Sequence, residues 1–191
     1  MKKITGGIIV LIFLFTGLSV YVYAQDVPFY SFVRFDSSYD SIISSAKNEE
    51  YEIQESEINS PFGKYLVTIK KPLSYHTEQI YLFFNQDKQL QFFTVRFLLG
   101  ENQSRLLLDR LATSIIEKLG ERYGESEPGA MLYKKLINER YEIIVPPIYA
   151  GSRIFEVSFK DLERYSSFQQ FYEAEMKAKE DEEIATITGK F

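Results

Sequence analysis

Side chains able to do acid–base or metal chemistry are scarce in this chain. Its 191 residues hold one histidine, His76, flanked by Tyr75, Thr77 and Glu78, and no cysteine. A single imidazole excludes a multi-histidine metal centre. The missing thiols exclude disulfides, thiolate metal sites, iron–sulfur clusters and a cysteine nucleophile. Serine and aspartate are plentiful enough for a Ser-His-Asp arrangement, but no Gly-x-Ser-x-Gly elbow occurs. His76 is therefore expected in an exposed loop. Carboxylates gather at Glu49, Glu50, Glu52, Glu55 and Glu57. Glu55 and Glu57 alternate onto one face of a β-type run, where they suit a weak calcium site, a basic partner or a solvated edge strand; the last is the reading adopted, because edge charges discourage aggregation. Asn85-x-Asp87 lacks the remaining ligands of a calcium loop and reads as a turn. No catalytic residue, cofactor or metal site is expected.

Aromatic residues are the unusual resource: 14 tyrosines and 16 phenylalanines, with no tryptophan. Most must serve the core. Phe29, Tyr30, Phe32 and Phe35, and later Tyr141, Tyr149 and Tyr165, are the candidates for an exposed contact patch or the lining of an apolar cleft, since a tyrosine combines an apolar body with a polar tip.

The chain's beginning supplies an address. Lys2 and Lys3 precede an apolar stretch from about Gly6 to Val22, and Val22-Tyr23-Ala24 then stands before Gln25-Asp26. This is the pattern of a secretory signal, residues 1–24, with small or β-branched residues where signal peptidase needs them. The alternative is an uncleaved membrane anchor. Without a cysteine to acylate, a lipoprotein is excluded, and an exported chain lacking disulfides points to a bacterial periplasm or exterior. The 22 basic side chains lose Lys2 and Lys3 with the signal, so 20 stand against 27 acidic ones. A mature charge of −7 disfavours nucleic acid, and no stable membrane insertion is expected after cleavage.

The elements that must position these residues follow from periodicity. Asp26–Phe35 reads as an extended lead-in. Asp36, Ser37 and Ser38 offer N-cap oxygens, Ser37 with Asp40 at capping-box spacing, for a helix on which Tyr39, Ile42, Ile43 and Ala46 share a face. Strands are expected at 51–58, 64–70, 79–84 and 89–97. The hairpin 79–97 should be central, because both of its faces carry aromatics. A long helix over 103–123 follows, closed by Gly124 and Pro128. Strands at 130–137, 140–145 and 153–160 precede a last helix capped by Ser166 or Ser167, with order fading after Met176. The expectation is an α+β fold of about seven antiparallel strands and three helices in the order α-β-β-β-β-α-β-β-β-α, consistent with a degenerate internal duplication. Residues 25–176 form one domain, and 177–191 a charged helix end and flexible tail.

Tyr81-Leu-Phe-Phe-Asn-Gln-Asp-Lys-Gln-Leu-Gln-Phe-Phe, followed by Leu119-Gly-Glu-Arg-Tyr-Gly and then Pro128, resembles the aromatic hairpin and Tyr-Gly helix end of many small exported bacterial α+β proteins. The resemblance spans roughly residues 37–160 and implies helices on an antiparallel sheet. It carries over no catalytic residue, since the matched positions are turns, caps and core. Together these features give an exported, non-enzymatic module that binds an envelope or secreted protein. The alternative is a carrier of a small apolar ligand or lipid, and a hydrolase comes third. The cleavage site makes one expectation measurable: intact mass of the exported protein should correspond to a chain starting at Gln25, whereas a membrane-partitioning mass that retains 1–24 would establish an anchor.

Overall fold

The computed structural model describes residues 29–188 apart from Tyr75 and Ala130. The expected signal, its cleavage site and residues 189–191 lie outside the described residues. Nine strands and three helices are formed by the described residues: β1 (Phe29–Tyr30), β2 (Val33–Arg34), α1 (Tyr39–Asn48), β3 (Glu52–Ser60), β4 (Gly63–Pro72), β5 (His76–Phe84), β6 (Leu90–Leu99), α2 (Arg105–Tyr123), β7 (Tyr133–Ile137), β8 (Tyr141–Val145), β9 (Ile154–Asp161) and α3 (Leu162–Thr188). β1 and β2 pair as a small hairpin inside the segment that reads as a lead-in. The other seven strands make one antiparallel sheet in the order β3-β4-β5-β6-β9-β8-β7. The α+β class and the element order are those the sequence predicts.

Each half of the chain enters through a helix and then meanders from an outer edge of the sheet inward. Their last strands, β6 and β9, therefore meet at the centre and pair from Phe92↔Lys160 to Leu98↔Ile154. Short-range chemistry fixes the turns. Asn85 Oδ1 accepts from the backbone N–H groups of Asp87 (3.0 Å) and Gln89 (2.9 Å), closing the β5–β6 hairpin. Asn138 and Glu139 both adopt positive φ, as a tight β7–β8 turn requires. Gly63 is a necessity of packing, because a Cβ there would lie 2.9 Å from the Phe84 carbonyl oxygen.

The helix boundaries differ from expectation in instructive ways. Of the three N-cap candidates it is Ser38 that caps α1, accepting from Ser41 N–H at 3.2 Å. α2 starts after Ser104 rather than after Asn102, and it ends at Gly124 with φ +90°. Tyr133 on β7 donates its hydroxyl to the carbonyls of Leu119 (3.2 Å) and Gly124 (3.0 Å), which ties that helix end to the sheet, and burial pushes its phenol up to about 12. α3 begins at Leu162 rather than near Ser166, since the Asp161 carboxylate, wholly buried, accepts from Arg164 N–H (3.3 Å) and pairs with Arg140 (2.8 Å) and Arg164 (3.4 Å). A strand-ending aspartate thus does the work expected of a serine. The helix also continues past Met176 to Thr188, where order was expected to fade. Its residues 177–186 are exposed, and good helix formers with the Glu175–Lys179 pair (2.8 Å, i,i+4) sustain it.

One sheet face carries the core: Val67, Ile69, Ile80, Leu82, Val95, Val157 and Ile143 are buried with Ile42, Ile43 and Ala46 of α1 and Leu108, Ala112 and Leu119 of α2. The central hairpin presents Phe84 and Phe93 to that face, Phe93 stacked on Phe159 at 4.5 Å between ring centroids. Phe83 and Phe92 stack on each other on the opposite face (5.2 Å), half-buried beside Phe62 and Tyr165 of α3. A register shift near Gln91 sends Leu90 into the core opposite Phe84, against the simple alternation that would place it with Phe92. Phe93→Ala should therefore cost about 3–5 kcal/mol in chemical denaturation and Phe92→Ala markedly less. Truncation after Met176 should leave stability within about 0.5 kcal/mol, because the removed turns are exposed; a larger loss would show that they complete the fold.

Candidate functional site

Between the β1–β2 hairpin, α2 and the covered sheet face lies a cavity of about 360 Å³. Phe97 of β6 with Val157 and Phe159 of β9 line it from the sheet, Leu111, Ile115 and Leu119 from α2, and Phe29 and Tyr30 from the hairpin. Helical spacing explains the α2 contribution, as these three leucine and isoleucine positions recur on one face. The exposed Lys118 and Arg122, one turn apart on α2, belong to the same lining.

The hairpin is held on both sides. Phe29 N–H donates to the Tyr123 hydroxyl (3.3 Å), and the Arg122 guanidinium stacks over the Phe29 ring at 3.5 Å. Tyr30 sets its ring edge-on to Phe97 (6.2 Å) and donates its hydroxyl to Glu78 Oε2 (2.7 Å). Tyr51, beside Phe32, donates to Glu78 Oε1 (2.5 Å). Glu78 is 7% exposed. Lys71 is its register partner on β4, yet the Lys71 ammonium is directed to the Glu49 carbonyl (2.7 Å) and the face of Tyr51 (5.0 Å). Burial first, and then the charge and hydrogen bonding of Glu78, push the phenols of Tyr30 and Tyr51 well above their ordinary value.

His76 is not a loop residue. It opens β5 opposite Leu99, half-buried, with its ring 5.8 Å from that of Phe97, and it lines the cavity. Pairing of β5 with β6 extends to this residue, a continuation that the polar run around it conceals. Ser31 lines the cavity too. Among the described residues no hydrogen bond joins Ser31, His76 and Glu78, and the Glu78 oxygens accept hydrogen bonds from two phenols instead of from the imidazole. The arrangement can hold a ligand and fix its polar end. It does not present an activated nucleophile. No group of three or more His, Cys, Asp or Glu side chains converges among the described residues. The Glu55 and Glu57 side chains lie on the outer strand β3, engaged by the Tyr39 hydroxyl and by Lys64 (3.1 Å) respectively.

The seven aromatic candidates do not form one site. Phe29 and Tyr30 line the cavity, and Phe32 supports it through Tyr51. Phe35 (1% exposed) and Tyr141 (9%) are core residues stacked on each other at 5.4 Å. Tyr149, 75% exposed, borders a separate depression of about 220 Å³ formed with Pro146, Pro147 and Ile154. Tyr165 sits on the other sheet face against Phe92. Glu78 was missed, although it had a signal: it occupies the buried phase of the alternation Glu78, Ile80, Leu82, Phe84. No family model matches the chain, and neither the curated proteins nor the solved structures contain a match.

The raised phenols make the site a source of alkaline lability. Below pH 10.0, the ordinary tyrosine value, the hydroxyls are protonated in folded and unfolded chains alike; above it the unfolded chain loses protons that the folded one keeps, so stability falls as pH rises. Phenolate absorbance should appear together with unfolding, and Tyr30→Phe plus Tyr51→Phe should flatten the decline. Early, reversible ionisation of every tyrosine in the folded protein would contradict the burial.

Proposed function

We propose that this protein is an exported, non-enzymatic binding module whose ligand is a small molecule with a largely apolar body, held in the cavity over β6 and β9. One observation carries the reading: an aromatic and aliphatic cavity of about 360 Å³ with a single buried carboxylate, Glu78, fixed at its lining by two phenols. Size and composition match the lower range of small-ligand sites, which are mostly apolar with a few placed polar groups. Export, to a bacterial periplasm or exterior, rests on the pattern of residues 1–24.

A contact patch for a protein partner draws less support from the aromatics, because Phe35 and Tyr141 are spent in the core and Phe29 and Tyr30 face the cleft. It is favoured by the exposure of Tyr149 and by apolar exposure near β7, where Met131, Leu132 and Leu136 are each about two-fifths accessible. Native mass spectrometry of gently purified protein tests the ligand reading. Wild type should carry a small bound mass, and Ile115→Trp, which fills the cavity, should lose it. Protein free of extra mass, with no thermal shift from any small aromatic compound tried, would overturn the reading. Crosslinking to one stoichiometric protein that Leu136→Asp abolishes would favour the second.

A further inference from the structure

Building on the reading of this cavity as a ligand site, we infer that its occupant is a small organic ammonium ion with an apolar or aromatic body, its charged group seated on Glu78. Each Glu78 oxygen receives one phenol hydrogen bond, from Tyr30 or Tyr51. A carboxylate has about four acceptor sites, so acceptor capacity remains on both oxygens. Among the described residues no cationic nitrogen lies within 4.0 Å of it, and the nearest candidate by register, Lys71, is engaged with the Glu49 carbonyl. A carboxylate removed from water without a counter-charge is unfavourable, and a ligand ammonium supplies the missing charge.

The surroundings suit the same chemistry. Tyr30 and Phe97 meet edge to face next to Glu78, and such rings attract a desolvated cation through their faces. Arg122 stacked on Phe29 is an instance within the same lining. The apolar body then rests on Ile115, Leu119 and Phe159. Lys118 and Arg122 carry positive charge at the exposed side of the cavity.

Calorimetric titration of the purified chain with three probes of one shape and different charge tests this: 2-phenylethylamine, 2-phenylethanol and 3-phenylpropionate. The amine should bind at least about tenfold more tightly than the alcohol, the scale of one hydrogen bond to a charged group. Glu78→Gln should erase that preference, and Ile115→Trp should abolish binding of both. Equal affinity for amine and alcohol overturns the ammonium assignment and leaves the ligand cavity standing. Tightest binding by the carboxylate does the same and reassigns the polar contact to Lys118 and Arg122. Absence of binding by all three overturns both readings. The wild-type comparison decides by itself should Glu78→Gln fail to fold.

Discussion

The architecture depends on the pairing of β6 with β9. Two meanders, each led by its own helix, approach from opposite edges of the sheet, and among the described residues this is the one strand ladder that joins them. Val95 faces Val157 and Phe93 faces Phe159 across it, with the last pair of rings stacked nearly parallel. The join is hydrophobic on the face where α1 and α2 pack and polar on the other, where Thr94 meets Ser158 (3.0 Å) and Arg96 pairs with Glu156 (2.5 Å). Cross-strand pairs of opposite character on the two faces fix the register, since a slip of one residue would exchange them. The cavity is a consequence of this seam. Its sheet side is Phe97, Val157 and Phe159, drawn from both halves, and α2 together with the β1–β2 hairpin closes over it.

Glu78 then explains why the hairpin lies where it does. Two strands of two residues each cannot hold themselves together in water. Tyr30 reaching Glu78, Phe29 bonded to Tyr123 and Arg122 stacked on Phe29 supply the tertiary anchors that a hairpin of that length lacks. The same hydrogen bonds lower the penalty of burying the carboxylate without cancelling it, since a phenol is a donor and not a counter-charge. A site that is structurally held yet electrostatically incomplete is well suited to recognising a charged ligand.

Much of the fold was legible in the residues because the local rules agree with one another: alternation in β4, β5 and β9, turn chemistry at Asn85 and Asn138, and the Gly124 helix end. The departures share a cause, which is that a distant partner overrode a local signal. Asp161 caps α3 because Arg140 arrives from the β7–β8 turn to neutralise it, which no local window contains. Leu90 turns inward through a bulge that periodicity does not encode. The site was only half legible. Phe29 and Tyr30 stood out as clustered aromatics, whereas Lys118, Arg122 and Tyr51 come near the cavity only through the packing of α2 and the sheet against the hairpin. Glu78 was within reach, as a charge on the buried phase of a strand demands an explanation in any sequence.

The fold protects both edges of its seven-stranded sheet. An antiparallel sheet offers two unpaired edges to any passing strand. At β7 the outward N–H groups of Lys134 and Leu136 are taken by Ser126 Oγ (3.0 Å) and Glu127 Oε1 (2.8 Å), while Glu127 N–H returns a bond to the Lys134 carbonyl (2.7 Å). The chain thereby occupies its own edge. At β3 the protection is charge: Glu52, Glu55 and Glu57 line the strand, and a register irregularity between Glu57 and Ser60 spoils its far end. On the open face Lys134 (3.5 Å) and Lys160 (3.6 Å) both reach Glu142, and Arg96 is paired with Glu156. Glu78 combines burial, an apolar cavity and a missing counter-charge, and this combination sets the cleft apart from the open face and the two edges of the sheet.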